Sequence, residues 1–268
     1  MVAGLAPGDH ACLAFDDDSG YLAPAAEFVR DGLRDNHKVL YLVDGSRWDL
    51  VEPLVAGAAR GQFTLVSAAD THLRDGAFDA DRTTGLLRGE LVRASDEGWA
   101  ALRIVGDMSW AFGMVGAEAL AGYEARVNRV YAQGYAMAIC LYDRRQWDRG
   151  TLAAVCMAHP HTLRAGESPL LRIRTGNGSQ VLRLTGEIDL SNQAAVEAVV
   201  RELATPGPLT IDVSGVRFMD GATIGMLVRT ALAVPCGLRV VGAGLAMRRL
   251  IELRAGDRAA PLHLEPSR

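Results

Sequence analysis

One pair of residues in the N-terminal half, His10 and Cys12, could support chemistry by its spacing. His10 and Cys12 alternate in GDHACLAF, so both side chains face one side if this segment is a strand. Imidazole and thiolate groups are ligands of zinc and of haem iron. Two ligands do not complete a site, and a hydrogen-bonded histidine beside a packed cysteine is the commoner arrangement. The metal interpretation requires His159 or His161 to lie nearby.

Other polar residues follow the apolar segments of the same half. Asp107 and Trp110 come after ALRIV, and Tyr142 and Asp143 come after the next apolar segment. Open α/β sheets place ligand sites beyond the carboxyl ends of their strands. Trp110 would serve equally well as a core residue. We expect a pocket for a small polar or mixed ligand at these strand ends. The candidate ligand-binding residues of the N-terminal half, with the separate His10 and Cys12 pair included, are His10, Cys12, Asp107, Trp110, Tyr142 and Asp143.

In the C-terminal half, VLRLTGEID and IDVSGVRFMDGATIGML place polar residues after apolar strands. Loops held at strand ends are suited to recognition. Asp220 could instead cap a helix that starts at Gly221, and the two roles are compatible. Turn or cap chemistry also explains Asp189 and Asp212 better than acid–base catalysis does. We expect a protein partner to bind here through Asp189, Asp212, Ser214, Asp220, Gly221 and Thr223.

The elements that must position these residues alternate along the chain. Apolar runs suited to buried parallel strands are separated by helical patterns, which predicts a three-layer α/β domain. The predicted strands of the N-terminal half are 38–43, 63–66, 101–105 and 136–141, and its predicted helices are 22–34, 46–60, 83–97, 117–133 and 145–159.

The C-terminal half is predicted to begin with a hairpin around Gly176-Asn177-Gly178, because Gly and Asn tolerate positive φ. Between the halves, HTLRAGES is polar and precedes Pro169, which indicates a linker and predicts domains 1–166 and 167–268. The remaining predicted elements are strands 170–175, 180–185, 209–213 and 238–241 and helices 192–203, 221–234 and 246–254.

Composition narrows the classes of function. The chain has 268 residues and a net charge of −4, with no basic cluster, so nucleic-acid binding is not expected. No apolar run reaches the roughly 20 residues that span a bilayer, and no signal sequence is visible, which predicts a cytoplasmic protein. The four cysteines include no CxxC pair, so disulfides are not expected.

The segments LTGEIDL and IDVSGVRFMD resemble the STAS domain of sulfate transporters and anti-sigma-factor antagonists, over residues 170–264. The resemblance implies a STAS-like α/β domain whose partner is an anti-sigma factor or related regulatory protein. In that family the second segment continues Asp-Ser-Ser-Gly, and the first serine is phosphorylated by the partner kinase. Gly221 stands in its place without a hydroxyl. Thr223 keeps a hydroxyl, but two helical positions turn it about 200° away.

The segments GDHACLAF, LRIVGDMSW and CLYDRRQWDRGTLAAVCMAHP resemble the MEDS sensory domain of methanogen and methylotroph regulators, over residues 8–161. That family looks like a degenerate relative of RecA-type ATPases. An active phosphate loop needs GxxxxGK[ST], whereas FDDDSGYL brings three carboxylates and no lysine. The resemblance therefore implies a RecA-like three-layer α/β domain with a degenerate phosphate loop.

The sequence as a whole predicts a non-enzymatic signalling regulator. A sensory domain would control an anti-sigma-factor-antagonist-like module that binds a protein partner in transcriptional control, without the usual phosphoacceptor serine. Two alternatives stay open: a degenerate RecA-like enzyme that binds or hydrolyses nucleotides, and a structural adaptor in a signalling complex. No GxSxG, HExxH or dinucleotide-binding motif occurs. The sequence does not identify a cofactor.

Overall fold

The computed structural model describes residues 2, 4–74, 76–131, 133–159, 161–162, 171–176, 179–190, 193–204, 207–255 and 262–265. These residues form a six-stranded sheet, a five-stranded sheet and a small hairpin. Most of the predicted linker and the predicted domain boundary near 166 lie outside the described residues, as do Asn177 and Gly178 of the predicted hairpin turn.

The six-stranded sheet belongs to the N-terminal half and is parallel throughout, with the strand order β3-β2-β6-β7-β1-β8. Every residue of β1, β2, β6 and β7 is buried, the pattern of parallel strands covered on both faces. The elements are β1 (His10–Phe15), α1 (Asp18–Arg34), β2 (Lys38–Val43), α2 (Trp48–Val51), β3 (Phe63–Ser67), α3 (Ala68–His72), β4 (Leu73–Arg74), β5 (Ala77–Phe78), α4 (Ala80–Asp96), β6 (Leu102–Asp107), α5 (Ala117–Tyr131), β7 (Ala136–Asp143), α6 (Arg149–Ala158) and β8 (His161–Thr162).

The predicted helix over residues 46–60 is wrong. The chain forms a 3-10 turn at Gly45–Arg47, the four-residue α2, and a second 3-10 turn at Glu52–Val55. Pro53 has no N–H to donate, and Gly57 has a φ of 89°, so neither residue continues an α-helix. This break leaves Arg47 in a tight turn directly after β2.

The five-stranded sheet of the C-terminal half has the order β13-β12-β11-β10-β9, in which only the β9–β10 pair is antiparallel. Its core includes Leu182, Ile211 and Leu227. The elements are β9 (Leu171–Gly176), β10 (Ser179–Ile188), α7 (Gln193–Ala204), β11 (Leu209–Met219), α8 (Gly221–Ala233), β12 (Leu238–Val241), α9 (Leu245–Ala255) and β13 (Leu262–Glu265).

The mixed α/β class is thus confirmed for both halves. Strand β11 extends well past the predicted end at residue 213, and β13 is a strand too short to be recognised from its composition. Within the described ranges, no helix is long and apolar enough to cross a membrane.

Candidate functional site

The ends of β10 and β11 extend beyond the rest of the C-terminal sheet. Pairing of β11 with β12 stops at Asp212 and Val241, but its pairing with β10 continues to Ile188 and Met219. Up to Val213 the strand alternates between buried and half-buried residues, and beyond it residues 214–218 are exposed or half-buried. The two strands therefore form a ribbon, and the end of β11 leads directly into α8.

An open groove lies at the end of this ribbon. Its volume is about 590 Å³, and it is lined by Asp189, Leu190, Phe218 and Asp220, which we call the Phe218 groove. Leu190 is 81% exposed and Phe218 is 52% exposed. Neighbouring exposed apolar side chains bordered by charges are typical of protein interaction sites. Of the predicted partner-binding residues, the structure brings Asp189 and Asp220 into this groove.

Asp220 is the N-cap of α8, as the capping interpretation predicted. Its carboxylate accepts a 2.7 Å hydrogen bond from the N–H of Thr223, and its own N–H donates to the Ile188 carbonyl at 3.1 Å. The hydrogen bond from the Thr223 N–H lowers the pKa of Asp220, so this carboxylate is charged at neutral pH. The cap and the groove thus share one residue.

The Thr223 side chain does not belong to the exposed face. Thr223 is fully buried, so neither a partner nor a kinase can reach it in the folded protein, which corrects its place among the expected binding residues. Gly221, in contrast, begins α8 at the half-exposed end of the helix. A Cβ added there would lie 3.3 Å from Nη2 of Arg254 on α9. An arginine therefore stands beside the position where the family's phosphoacceptor would be.

Asp212 and Ser214 shape the ribbon. The Asp212 carboxylate accepts hydrogen bonds from the Ser214 N–H and from Nε of Arg183, each at 2.9 Å. Burial alone would raise the pKa of Asp212, but these hydrogen bonds hold it below its ordinary value. Ser214 packs against Gly242, where an added Cβ would lie 2.7 Å from the Ser214 Cβ. Asp212 thus has the predicted turn role, whereas Gly242 was not identified from the sequence.

At the carboxyl edge of the N-terminal sheet, Asp107 and Asp143 converge on Arg47. The Arg47 guanidinium donates to Asp143 Oδ2 at 2.6 Å, to Ser109 Oγ at 2.8 Å and to Asp107 Oδ2 at 3.3 Å. The same group lies 5.0 Å from the ring centre of Tyr21, within the range of cation–π attraction. The two carboxylates meet at this edge of the sheet, as the sequence predicted. The arginine between them was not foreseen.

The two carboxylates experience different surroundings. Burial raises the pKa of Asp107 above its ordinary value, although the charge of Arg47 opposes the shift. Burial would raise the pKa of Asp143 as well, but hydrogen bonds from Arg145 and the charges of Arg145 and Arg47 hold it low. Asp107 is therefore the more readily protonated of the two. The half-buried Arg47 thus lies between two carboxylates whose pKa values are shifted in opposite directions.

Trp110 and Tyr142 do not join this polar group. Trp110 is buried and stacks on His72 with ring centres 4.3 Å apart. Tyr142 is fully buried and makes an edge contact with Trp147, at 6.0 Å between ring centres. Both are core residues, which corrects their inclusion in the ligand pocket and agrees with the alternative stated for Trp110. Ser109 takes their place beside Arg47.

His10 and Cys12 also lie away from this edge. In the parallel register of β1 and β7, His10 is level with Ala138 whereas Phe15 is level with Asp143. Five strand residues separate the two levels, about 17 Å at the usual rise per residue. His10 instead contacts Asn128 and Cys140 inside the domain, with Nδ1 2.7 Å from Asn128 Oδ1 and Nε2 3.2 Å from Cys140 Sγ. His10 and Cys12, which are a candidate pair of their own, therefore lie apart from the edge that holds Asp107 and Asp143.

The acidic turn before α1 has structural roles. Asp17 is the N-cap of α1 and accepts the Gly20 N–H at 2.7 Å. Asp18 receives a hydrogen bond of 3.1 Å from Arg145. Capping and ion pairing therefore account for the carboxylates of Asp17 and Asp18.

In comparison with known proteins, each half of the chain matches a different domain family. The model of the MEthanogen/methylotroph, DcmR Sensory (MEDS) domain matches residues 9–160, and a model described as Mlab, STAS domain matches residues 171–262. The anti-sigma-F factor antagonists RsfB of Mycobacterium tuberculosis strains H37Rv and CDC 1551 are each 33% identical over 98 residues, covering 35% of this chain and 80% of the relative.

A crystal structure of an anti-sigma factor antagonist from Mycobacterium paratuberculosis is also similar. It is 31% identical, covers 35% of this chain and 83% of its own chain, and has a TM-score of 0.30. Both predicted domain families are confirmed, and in the predicted order. Because the MEDS model matches more than half of the residues, this protein belongs to the MEDS family, and a STAS domain follows its MEDS domain.

Proposed function

We propose that this protein is a non-enzymatic signalling regulator in which a MEDS sensory domain controls the binding of a protein partner to the STAS domain. The observation that carries the proposal is the Phe218 groove. It exposes Leu190 and Phe218 between two carboxylates, within the region that the STAS model matches. Since the relatives are named for antagonising an anti-sigma factor, the proposed partner is an anti-sigma factor or a related regulatory protein, acting in cytoplasmic control of transcription.

The chemistry of the groove defines what the partner should present. An apolar side chain would cover Leu190 and Phe218 and remove their exposed surface from water. Lysine or arginine residues around it would face Asp189 and Asp220. Asp220 is charged at neutral pH because the Thr223 N–H lowers its pKa. The fit is therefore to an apolar residue with basic neighbours.

Control of this binding is proposed to come from the MEDS domain. Gly221 has no hydroxyl to phosphorylate, and Thr223 is buried. A ligand that favours one state of the sensory domain would then change the partner's affinity, by a typical coupling of about 1–3 kcal/mol. The coupling is reciprocal, so the partner would change the ligand's affinity by the same factor.

The carboxyl edge of the N-terminal sheet is the proposed sensory site. Asp107, Asp143 and Arg47 offer two carboxylates and a guanidinium where open parallel sheets hold ligands. A small polar ligand that contacts these groups would exchange with part of the existing ion-pair network. We also propose that the domain is a degenerate RecA-like fold, because β1 is an interior strand that leads into α1 through the acidic turn.

A capture experiment tests the docking proposal. Full-length protein would be used as bait in native lysate, as wild type and with Leu190→Glu or Phe218→Glu, and bound proteins identified by mass spectrometry. Both leucine and phenylalanine are exposed, so the substitutions should leave the fold intact. Leu232→Glu is the matched control, since Leu232 is 47% exposed on α8 and does not line the groove. Partners should be lost only with the groove variants. Capture of the same proteins by all four baits would refute the proposal.

An activity measurement separates the enzymatic alternative. Incubation of the full chain with ATP and magnesium should release no phosphate, because the acidic turn has carboxylates where phosphate-binding groups are needed. Turnover that disappears in Asp107→Asn would instead support a residual nucleotide hydrolase. If no small molecule in a metabolite screen raises the melting temperature of the wild type, the adaptor alternative gains.

A further inference from the structure

Helix α9 of the C-terminal domain carries leucines on the side that faces away from the core. Leu245 is 82% exposed, Leu253 is 79% exposed and Leu250 is 45% exposed, whereas Ile251 and Ala255 of the same helix are buried. Residues three or four positions apart are neighbours on one face of a helix, so Leu250 and Leu253 lie side by side. A helix that covers a sheet buries its apolar residues, and these leucines therefore have no role in the domain core.

Positive charge surrounds these leucines. Helices α8 and α9 together contain four arginines and a single acidic residue: Arg229, Arg248, Arg249, Arg254 and Glu252. Arg254 follows Leu250 by four positions, so its side chain begins beside that leucine. The Phe218 groove has the opposite charge, since two carboxylates line it. The exposed surface of α9 is thus both apolar and basic.

Two guanidinium groups come together over Gly225. A Cβ added at Gly225 would lie 3.3 Å from Nη1 of Arg229 and 3.9 Å from Nη1 of Arg254. The two Nη1 atoms are therefore no farther apart than the sum of these distances. Within the ranges that the structure describes, no carboxylate forms an ion pair with either arginine. Two like charges this close repel each other, and a carboxylate bound between them would relieve the repulsion.

We propose that Arg229, Leu250, Leu253 and Arg254, which we call the Arg254 face, bind an acidic amphipathic helix of a partner protein. Apolar side chains of that helix would cover Leu250 and Leu253, since helices pack by interlocking side chains at three- and four-residue spacing. Aspartate or glutamate beside them would pair with the two guanidinium groups, each of which can hold a carboxylate through two parallel hydrogen bonds. An anionic membrane is the poorer fit, because it would repel the exposed Glu252 on α9.

The Arg254 face is a second surface beside the Phe218 groove. None of its four residues is among those that line the groove. The two surfaces adjoin at the start of α8, where Asp220 lines the groove and Nη2 of Arg254 lies 3.3 Å from the position of a Cβ at Gly221. The inference does not depend on the proposed function, because it rests on the exposed leucines and the adjacent arginines alone.

Binding of a synthetic helix to the full-length protein tests the proposal. The probe is a fluorescent peptide, stapled into a helix, with leucines at three- and four-residue spacing and glutamates on both sides of them. Its counterpart has lysine in place of every glutamate. We expect fluorescence anisotropy to show roughly tenfold tighter binding of the acidic helix, with an affinity that decreases as salt increases. Equal affinity for the two helices would overturn the proposal.

Matched variants locate the bound helix. Arg254→Glu should weaken binding of the acidic helix by about tenfold, whereas Arg30→Glu on α1 should not, although Arg30 is also exposed. Leu250→Glu should weaken it as well, and Leu86→Glu is its control because both leucines are 45% exposed. The double variant Arg229→Glu and Arg254→Glu should prefer the lysine helix while keeping the circular dichroism spectrum of the wild type. Identical behaviour of face and control variants would contradict the assignment.

Two further measurements address the alternative occupants. Flotation with vesicles of phosphatidylglycerol and phosphatidylcholine tests a lipid surface, and sedimentation equilibrium tests a second copy of this chain. We expect neither vesicle binding nor self-association to depend on Arg254 or Leu250. Either one, if abolished by Arg254→Glu or Leu250→Glu, would exclude the partner helix as the occupant. Phe218→Glu should bind the acidic helix as the wild type does, so failure of the groove proposal leaves this result intact.

Discussion

Nη2 of Arg47 lies 2.6 Å from Oδ2 of Asp143 in a partly buried ion pair of the N-terminal domain. The same guanidinium reaches Asp107, whose side chain has no exposed surface. A cation placed between two buried carboxylates compensates both. Its removal would take away the compensation of the buried Asp107 charge, whereas Asp143 would keep its ion pair with Arg145. This relationship makes Arg47 the most consequential single side chain at the carboxyl edge of the sheet.

Arg47→Met should therefore destabilise the N-terminal domain by about 3 kcal/mol, in the range for breaking a buried ion pair. Denaturant unfolding followed by tryptophan fluorescence measures the loss, since all four tryptophans lie between residues 48 and 147. Arg34→Met is the control, because Arg34 is exposed and its ion pairs should contribute little. Equal stability of the two variants would show that the network does not compensate buried charge.

Asp220→Ala should lower the melting temperature of the C-terminal domain, because the first turn of α8 loses the acceptor for the Thr223 N–H. Asp220→Asn should keep most of that stability, since an asparagine oxygen can accept the same hydrogen bond. The pair also separates capping from docking, because both variants remove the Asp220 charge from the Phe218 groove but only the alanine variant removes the capping acceptor. Thermal unfolding by circular dichroism gives the comparison, and equal melting temperatures for the two variants would argue against the cap.

Gly242→Ala should destabilise the C-terminal domain by about 1–3 kcal/mol, the usual cost of backbone strain. Gly242 has a φ of 76°, and an added Cβ would lie 2.8 Å from the Ser214 nitrogen. Gly244→Ala provides a close control, because nothing lies within 4 Å of the added methyl group. Circular dichroism in denaturant should therefore distinguish the two alanine variants. Comparable unfolding midpoints would mean that the ribbon moves away from Gly242 without cost.

The stability of the N-terminal domain should fall as the pH decreases from 6.5 towards 4. Burial lowers the pKa of His72 from 6.5 to about 4, so in this window the unfolded chain binds a proton that the folded chain does not. The slope from this residue is at most about 1.4 kcal/mol per pH unit. His72→Gln should give a flatter curve of unfolding free energy against pH, measured by tryptophan fluorescence. Parallel curves for variant and wild type would assign the slope to other groups.

Local sequence predicted most of the strands and helices because their apolar patterns are strong. The run KVLYLV matches β2 (Lys38–Val43) residue for residue, since continuous apolar strands bounded by polar residues have few alternatives. The region 46–60 failed because apolar residues at helical spacing outweighed Pro53. The prediction ended β11 too early, at residue 213, because residues 214–218 lose the alternating burial that marks a strand in a sheet.

The sites were less predictable because they depend on distant contacts. Arg47 and Asp143 are separated by 96 positions, and His10 and Cys140 by 130. Periodicity reports which face of an element is buried, but it does not report which elements meet. The sequence could name Asp107 and Asp143 from their places after strands. It could not supply the arginine between them, because Arg47 is 60 positions from Asp107 and 96 from Asp143.

Gly221 also bears on how long the signal proposed for the start of α8 would last. Serine phosphate is a covalent modification that persists until an enzyme removes it, whereas Gly221 has no oxygen to form the ester. Under the proposed function, occupancy of this position would therefore change as fast as the partner associates and dissociates, and it would leave no covalent record on Gly221.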